Sequence, residues 1–394
     1  MRKNQTALSG QDSTAARDLY VAFELSKSKW KLAFSDEPGR RPRLVTIDAR
    51  DLARLEVEIN KARTRFGLES TPTVHSCYEA GRDGFWIHRA LTARGIDNII
   101  VDPASIEVNR RKKRAKTDRI DATKLVGQLL RYHHGEKRVW SVVRVPSVAD
   151  EDDRQLHREL DHLKNERAQH RMRIQSLLFT HGVDLFVGRN FLDELDRARQ
   201  WDGKELPPGL KARLIREHTR LNEVLRQIRK LKSLRKQLLK ERKPVRTISS
   251  TSPRKDRKLE QVAMLTDLRG LGIESSWLFV MEFFGWREFQ NRREVGGAAG
   301  LTPTPYNSGD SEREQGISKA GHKRVRCMAV EIAWCWLRYQ PESKLSSWFN
   351  EKFASGGSRM RRVGIVALAR RLLVALWRYV THGVVPEGAL MKTA

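Results

Sequence analysis

The sequence predicts an α/β domain over residues 18–145, a long helical segment over 150–243 and a mainly α-helical domain over 259–394. Three observations predict this. Short apolar runs alternate with helical spacings up to residue 145, the pattern of an α/β layer structure. Leu214, Leu221 and Ile228 then keep a seven-residue step, interleaved with Val224, Leu231 and Leu238, an a/d seam of a coiled-coil kind. After residue 259 the apolar spacing stays helical, with Gly-rich interruptions. The polar residues 1–17 read as a disordered tail, and 244–258 as a basic linker.

Each element follows from its residues. Leu19, Val21, Phe23 and Leu25 alternate with Tyr20, Ala22 and Glu24, so both faces are mostly apolar, as in an inner strand packed between layers. Further strands are expected at Trp30–Phe34, Arg43–Ile47, Thr73–Glu79 and Asn98–Val101, the last ended by Asp102-Pro103. Helical spacing at Leu52, Leu55 and Ile59 stops at Gly67, a left-handed cap position. Helices are also expected across Phe85–Ala93 and from near Thr117 to Tyr132. Pro207-Pro208-Gly209 breaks the middle segment, and Arg235 falls on the next a position and spoils the seam.

Charge narrows the function. Lys and Arg number 76 against 48 Asp and Glu, a formal charge of +28. Such an excess repels itself unless a polyanion neutralises it, and nucleic acid is the natural partner because each phosphate contact releases a counterion. Between Arg229 and Lys258 there are thirteen Lys or Arg and two acids, a stretch suited to tracking phosphate. Cys77, Cys327 and Cys335 form no CxxC pair, which argues against structural zinc and for a reducing, cytoplasmic setting. The N-terminus lacks an apolar signal-peptide core, and the apolar stretch Val363–Leu376 is short and holds Arg370 and Arg371. No membrane role is expected.

Four carboxylates fall where an RNase-H-like sheet could converge them. Glu24 sits in the first strand, Glu79 closes the fourth, and Asp118 and Asp121 share a helical face three residues apart. Hard oxygen ligands in such a cluster suit Mg²⁺ and phosphodiester chemistry. Asp118 and Asp121 also suit a helix N-terminus, where acids complement the dipole. Glu24 is harder to place otherwise, since a carboxylate in an apolar strand needs a partner or a cation. Beside the acids run Arg110, Arg111, Lys112, Lys113, Arg114 and Lys116, a basic strip for a nucleic-acid backbone.

Tyr78-Glu79-Ala80-Gly81, Ile99-Ile100-Val101-Asp102-Pro103 and the KRAKTDRIDATKL stretch ending at Leu125 together resemble the N-terminal DEDD domain of insertion-sequence family 110 transposases, a domain related to the RuvC Holliday-junction resolvases. The stretch from Gly300 to Trp334 resembles the C-terminal transposase domain of the same family. The resemblance spans roughly 18–380 and implies a RuvC-like fold with Glu24, Glu79, Asp118 and Asp121 as Mg²⁺ ligands and catalytic residues. The first position is aspartate in that family and glutamate here, one methylene longer. It also implies that Ser308 is a serine nucleophile, that donor and target DNA are cut and rejoined, and that a structured bridge RNA selects both sites. Many members carry a second serine where this chain has Asn307.

The residues around Ser308 make chemical sense of that role. Gly300, Pro303, Pro305 and Gly309 are turn formers that can expose a hydroxyl on a loop, although a capping serine in a glycine-rich loop reads equally from the bare residues. Lys319, Lys323, Arg324 and Arg326 with His322 open a helix downstream, where amides and cations hold a phosphate. Leu268-Arg269-Gly270-Leu271-Gly272-Ile273 suits a helix-hairpin-helix turn or plain packing. Trp334, Trp336 and Trp377 are expected in the core, and His157, His162 and His170 at the surface or on RNA. The seam offers a contact for a homo-oligomer, a dimer or tetramer. Alternatives are a metal-only nuclease of Holliday-junction type and an inactive nucleic-acid-binding relative. A bacterial, nucleoid-associated protein is expected.

Overall fold

Alternation in the first strand and β-branched or aromatic runs after it build one mixed sheet. The computed structural model describes residues 17–68, 72–106, 118–241, 254–308 and 311–392, and for 118–120, 254–255, 305–308 and 311–315 the backbone alone. The chain divides after Pro146. In the first unit the order is β1 (Leu19–Leu25), β2 (Lys29–Ser35), β3 (Arg43–Asp48), α1 (Leu52–Phe66), β4 (Val74–Glu79), α2 (Trp86–Thr92), β5 (Asp97–Val101) and α3 (Asp118–His133). The sheet order is β3-β2-β1-β4-β5. β1, β2 and β3 pair antiparallel, whereas β1–β4 and β4–β5 pair in parallel.

Strand alternation sorts side chains onto two cores. Val21, Phe23, Trp30 and Leu32 pack with Leu55, Ile59 and Phe66 of α1 and Ile87 and Leu91 of α2. On the other face Tyr20, Ala22 and Cys77 pack with Ala122, Leu125, Val126 and Leu129 of α3. Asp51 caps α1 by accepting from the Arg54 amide at 2.8 Å, and Gly67 ends it at φ +63°. The buried Glu58 pins α1 to β3. Its hydrogen bond from Arg43 holds its carboxyl below the usual range, against burial.

The second unit contains α4 (Val148–Asp152), α5 (Gln155–Phe179), α6 (Phe191–Arg197), α7 (Pro208–Glu241), α8 (Arg254–Asp267) and α9 (Ile273–Phe279). α10 (Arg292–Ala298), the hairpin β6 (Pro303–Ser308) and β7 (Ser311–Ile317), α11 (Lys323–Tyr339), α12 (Lys344–Phe349) and α13 (Ser358–His382) follow. The helical middle is thus part of the same unit as the C-terminal helices. Its seven-residue seam closes within the chain. Leu214 and Leu221 of α7 join Ile174 and Leu178 at the end of α5, while Val224 and Ile228 join Leu160 and Leu163 near its start. The two helices therefore run antiparallel, and the burial expected from pairing between chains is met by α5. Arg235, the residue that spoils the seam, is buried over the Trp277 ring and lies 3.7 Å from Glu274.

Several local expectations change. α8 starts at Arg254, inside the stretch 244–258 expected as a basic linker, and 244–253 lie outside the described residues. Lys258 is buried between Asp150, at 2.7 Å, and Asp153, so it ties α4 to α8. A buried ammonium needs such partners. The glycine-rich turn at 268–273 is a packing device: the Arg269 amide donates to the Leu390 carbonyl, and the Lys392 ammonium donates to the Leu271 carbonyl at 2.7 Å. His157 is buried and His170 meets Glu217 at 2.8 Å, while His162 is exposed. Trp336 and Trp377 are core residues, but Trp334 is 44% exposed. No helix among the described residues is long and apolar enough to cross a membrane.

Candidate active site and nucleic-acid interface

Register and helix direction decide where the predicted acids go. Phe23 pairs with Tyr78 across the parallel β1–β4 ladder, so the next residues, Glu24 and Glu79, are neighbours at the carboxyl ends of both strands. Glu24 shares parity with Tyr20 and Ala22, and Glu79 with Cys77, the residues that face α3. The Cys77 thiol reaches the Leu125 carbonyl at 4.0 Å, and Tyr20 at the other end of β1 meets the rings of His133 and His134. α3 therefore runs opposite to β1 and β4. From that Cys77–Leu125 contact, Asp121 lies about 6 Å along the helix and Glu79 about 7 Å along the strand, in the same direction.

Glu24 and Asp121 are half-buried and Glu79 is exposed. Glu24 also pairs in register with Lys31 of β2. The backbone of Asp118 opens α3, but its side chain lies outside the described residues. So do Arg110, Arg111, Lys112, Lys113, Arg114 and Lys116 entirely. Glu24, Glu79 and Asp121 share one end and one face, yet they do not form a group with ligand atoms within 4.8 Å of one another.

In the second unit the structure puts Ser308 at the end of a strand and not on a loop. Ser308 pairs with Ser311, closing a two-stranded ribbon; its side chain lies outside the described residues. Pro303 and Pro305 obscured this strand in the sequence. A ribbon tolerates them because prolines are confined to edge strands and bulges, and the register shifts between them. Gly300 and Gly321 close the base of the ribbon. Gly321, at φ +138°, comes so close to the next segment that a Cβ would meet the Ala298 carbonyl oxygen at 2.5 Å.

The bases predicted beside this ribbon divide into two kinds. Arg326 is a staple, donating to the carbonyls of Ala299 at 3.2 Å and Lys319 at 3.0 Å. Arg324 lies 3.5 Å from Asp161 of α5. Lys319, at φ +55°, and Lys323 are exposed and remain open to phosphate. His322 caps α11 by accepting from the Val325 amide at 3.3 Å, and its other nitrogen meets the buried Glu282 at 3.4 Å. Burial works against the charge on Glu282, but hydrogen bonds from His322 and Arg158 hold its carboxyl far below the usual range. Glu282 sits in a π-helical turn, Val280–Phe284, and fixes the foot of the ribbon to α5.

The profile of the IS116/IS110/IS902 transposase family matches residues 262–346, the stretch that contains the ribbon and the His322 cap. A Sinorhizobium fredii protein named as the transposase y4rJ is 43% identical over 383 residues, 95% of each chain. The chain belongs to this transposase family. A second S. fredii transposase, y4qE, is 27% identical over 82% of this chain and 73% of its own. The transposase of insertion sequence IS1328 from Yersinia enterocolitica is 26% identical over 58% of this chain and 63% of its own.

The transposase also carries a basic surface of which the sequence showed only Arg370 and Arg371, as interruptions of an apolar stretch. One side of α13 lines a groove of about 1140 Å³, slightly larger than small-molecule pockets, which run to about 1,000 Å³. Arg359, Arg362, Arg370, Arg371 and Arg378 stand along it, and Arg292 and Arg293 of α10 line it too. The acid among its described lining residues, Glu387, pairs with Lys344 at 2.8 Å. Its floor is apolar, with Val363, Val384 and Val385 exposed, and Arg371 stacks on Trp348 at 3.9 Å. Pro303, Gly316 and Ile317 at the base of the ribbon complete the wall. Arg370 and Arg371 stand out in the sequence only as charges that interrupt an apolar stretch, because Val366, Leu368, Leu372 and Leu373 around them read as core. Removing Arg362 and Arg370 together is expected to lower the slope of log binding constant against log salt by about 1.4 for a single strand, at about 0.7 per phosphate contact. Filter binding across a salt series measures it, and an unchanged slope would rule the groove out as a phosphate contact.

Proposed function

We propose that this insertion-sequence transposase breaks and rejoins DNA with two chemistries, one in each unit. The first is a Mg²⁺ site held by Glu24, Glu79, Asp118 and Asp121; the second is nucleophilic attack by Ser308. The observation that carries the reading is the shared end and face of Glu24, Glu79 and the first turn of α3. The donor set suits the ion: carboxylate oxygens are the hard ligands Mg²⁺ prefers. A pair of ions about 4 Å apart also needs ligands spread more widely than one ion does. When bound, such ions supply charge neutralisation at the phosphate and at the attacking and leaving oxygens. The strand order β3-β2-β1-β4-β5 with helices on both faces supports an RNase-H/RuvC-like reading of the first unit.

The Ser308 Oγ would form a bond to phosphorus while the P–O3′ bond breaks, leaving a free 3′-hydroxyl and a 5′-phosphoserine. A 3′-hydroxyl of the second DNA then attacks that phosphorus and releases serine. One phosphodiester is made for each one broken, so no nucleotide energy is consumed. Lys319 and Lys323 would neutralise the phosphate near the ribbon, and the arginine groove would hold an unpaired strand. Exposed apolar side chains between cations suit bases as well as phosphates. A structured guide RNA that pairs with donor and target DNA fits the family and the charge of +28.

The test is strand exchange by the purified full chain on element-end DNA, with and without chelator. Exchange is expected to stop with chelator and to resume with Mg²⁺ or Mn²⁺. Undiminished exchange in excess chelator would end the metal reading.

A further inference from the structure

At the opposite end of the sheet from the acids, four residues from four elements meet. His75 is the second residue of β4, Asp97 opens β5, His133 ends α3, and Asp18 precedes β1. His75 Nδ1 lies 2.7 Å from Asp97 and its Nε2 lies 3.2 Å from Asp18. The His75 and His133 rings are 4.0 Å apart, with Tyr20 stacked on His75 at 5.2 Å. His133 Nε2 is buried without a hydrogen-bond partner among the described residues. A buried polar nitrogen left unpaired is costly and needs a reason. Each of His75, Asp97 and His133 offers a ligand atom, and the three atoms lie within 4.8 Å of one another.

We propose that His75, Asp97 and His133 hold a transition-metal ion of the Zn²⁺ class, with Asp18 orienting the His75 ring. Two imidazoles and a carboxylate suit Zn²⁺ far better than Mg²⁺. Around a tetrahedral ion with bonds of about 2.1 Å, ligand atoms sit roughly 3.4 Å apart. No pair of ligand atoms therefore has to close by more than about 1.4 Å, and the His75–Asp97 pair, now hydrogen-bonded at 2.7 Å, opens slightly; both changes are within reach of side-chain rotation. A carboxylate behind a metal-bound imidazole fixes its tautomer and ring plane, which is the place Asp18 occupies. Asp97 is half exposed, so a water completes the fourth position. The ion ties the last turn of α3 to the starts of β4 and β5. Because α3 is a single helix of 16 residues, fixing that end sets the position of Asp121 at the other. This site is separate from the carboxylate site and stands whether or not that one binds Mg²⁺.

The full chain, stripped by chelator and dialysed, is titrated with ZnCl₂ by calorimetry in excess Mg²⁺, and its thermal unfolding is followed. One Zn²⁺ per chain and a higher melting temperature are expected, and Co²⁺ should give the visible absorption of a four-coordinate site. His133→Ala should abolish tight binding, and Asp18→Asn should weaken it by about tenfold to a hundredfold. Glu79→Gln should leave it unchanged. Should His133→Ala not fold, Asp97→Asn, altered at an exposed edge, serves in its place and is expected to weaken binding. No saturable Zn²⁺ uptake by the wild-type chain, or unchanged affinity in His133→Ala or Asp97→Asn, overturns the proposal.

Discussion

Replacing Glu79 by glutamine is expected to slow DNA strand breakage about a thousandfold while leaving fold and DNA affinity nearly unchanged. Glu79 is exposed at the last position of β4, and the change keeps its shape, so the stability cost should stay within about 0.5 kcal/mol, as for ordinary surface positions. The proposed loss is chemical, with one hard oxygen ligand fewer beside the phosphate. Metal-site stabilisation amounts to several kcal/mol, and about 4 kcal/mol corresponds to a factor of about a thousand. Asp48→Asn is the control. Asp48 is exposed and pairs with Lys29 at 2.6 Å in β2; it lies in β3, two strands over from Glu24, and its variant should cut at the normal rate. Single-turnover cleavage measures both. Two variants with equal rates would mean that Glu79 holds nothing.

The second large effect belongs to Ser308→Ala. Without the hydroxyl no phosphoserine forms, so the covalent protein–DNA adduct and joined product should both fall below detection. A removed nucleophile typically costs about a millionfold. Binding of nucleic acid should persist, because the exposed Lys319 and Lys323 and the α13 groove are untouched. Denaturing gels after quenching would reveal the adduct in wild type alone. Cleavage that continues in Ser308→Ala without an adduct would favour a hydrolytic, metal-only reaction, since water can replace serine as the attacking group.

The first unit was legible because its information is local. Leu19 to Leu25 alternates with apolar residues on both faces, Gly67 and Pro103 stop the elements before them, and the strands expected there match β1 to β5 to within one residue at almost every end. Neighbourhood is a different matter. That Glu24 lies beside Glu79 follows from a parallel ladder joining strands some fifty residues apart, and no periodicity encodes it. His75 and His133 are farther apart still, and neither carries metal-ligand spacing. In the second unit the prolines of β6 hid a strand. The seam of α7 showed that a partner was needed without saying that α5 would be it. The arginines of α13 were disguised by the leucines of the buried side, since a helix that is apolar on one side and basic on the other reads as merely interrupted.

The ribbon that ends at Ser308 has a further consequence for how such enzymes diverge. Among the described residues β6 and β7 are alone in their sheet, with no third strand there to fix their length. Adding or removing two residues in each strand keeps every side chain on its own face, whereas a change of one turns them all over. Each permitted step moves the tip by roughly 7 Å, about two base-pair rises, since a strand extends about 3.4 Å per residue. Reach toward a phosphate is therefore set in coarse increments, and relatives that position their DNA differently are expected to differ here by even numbers of residues.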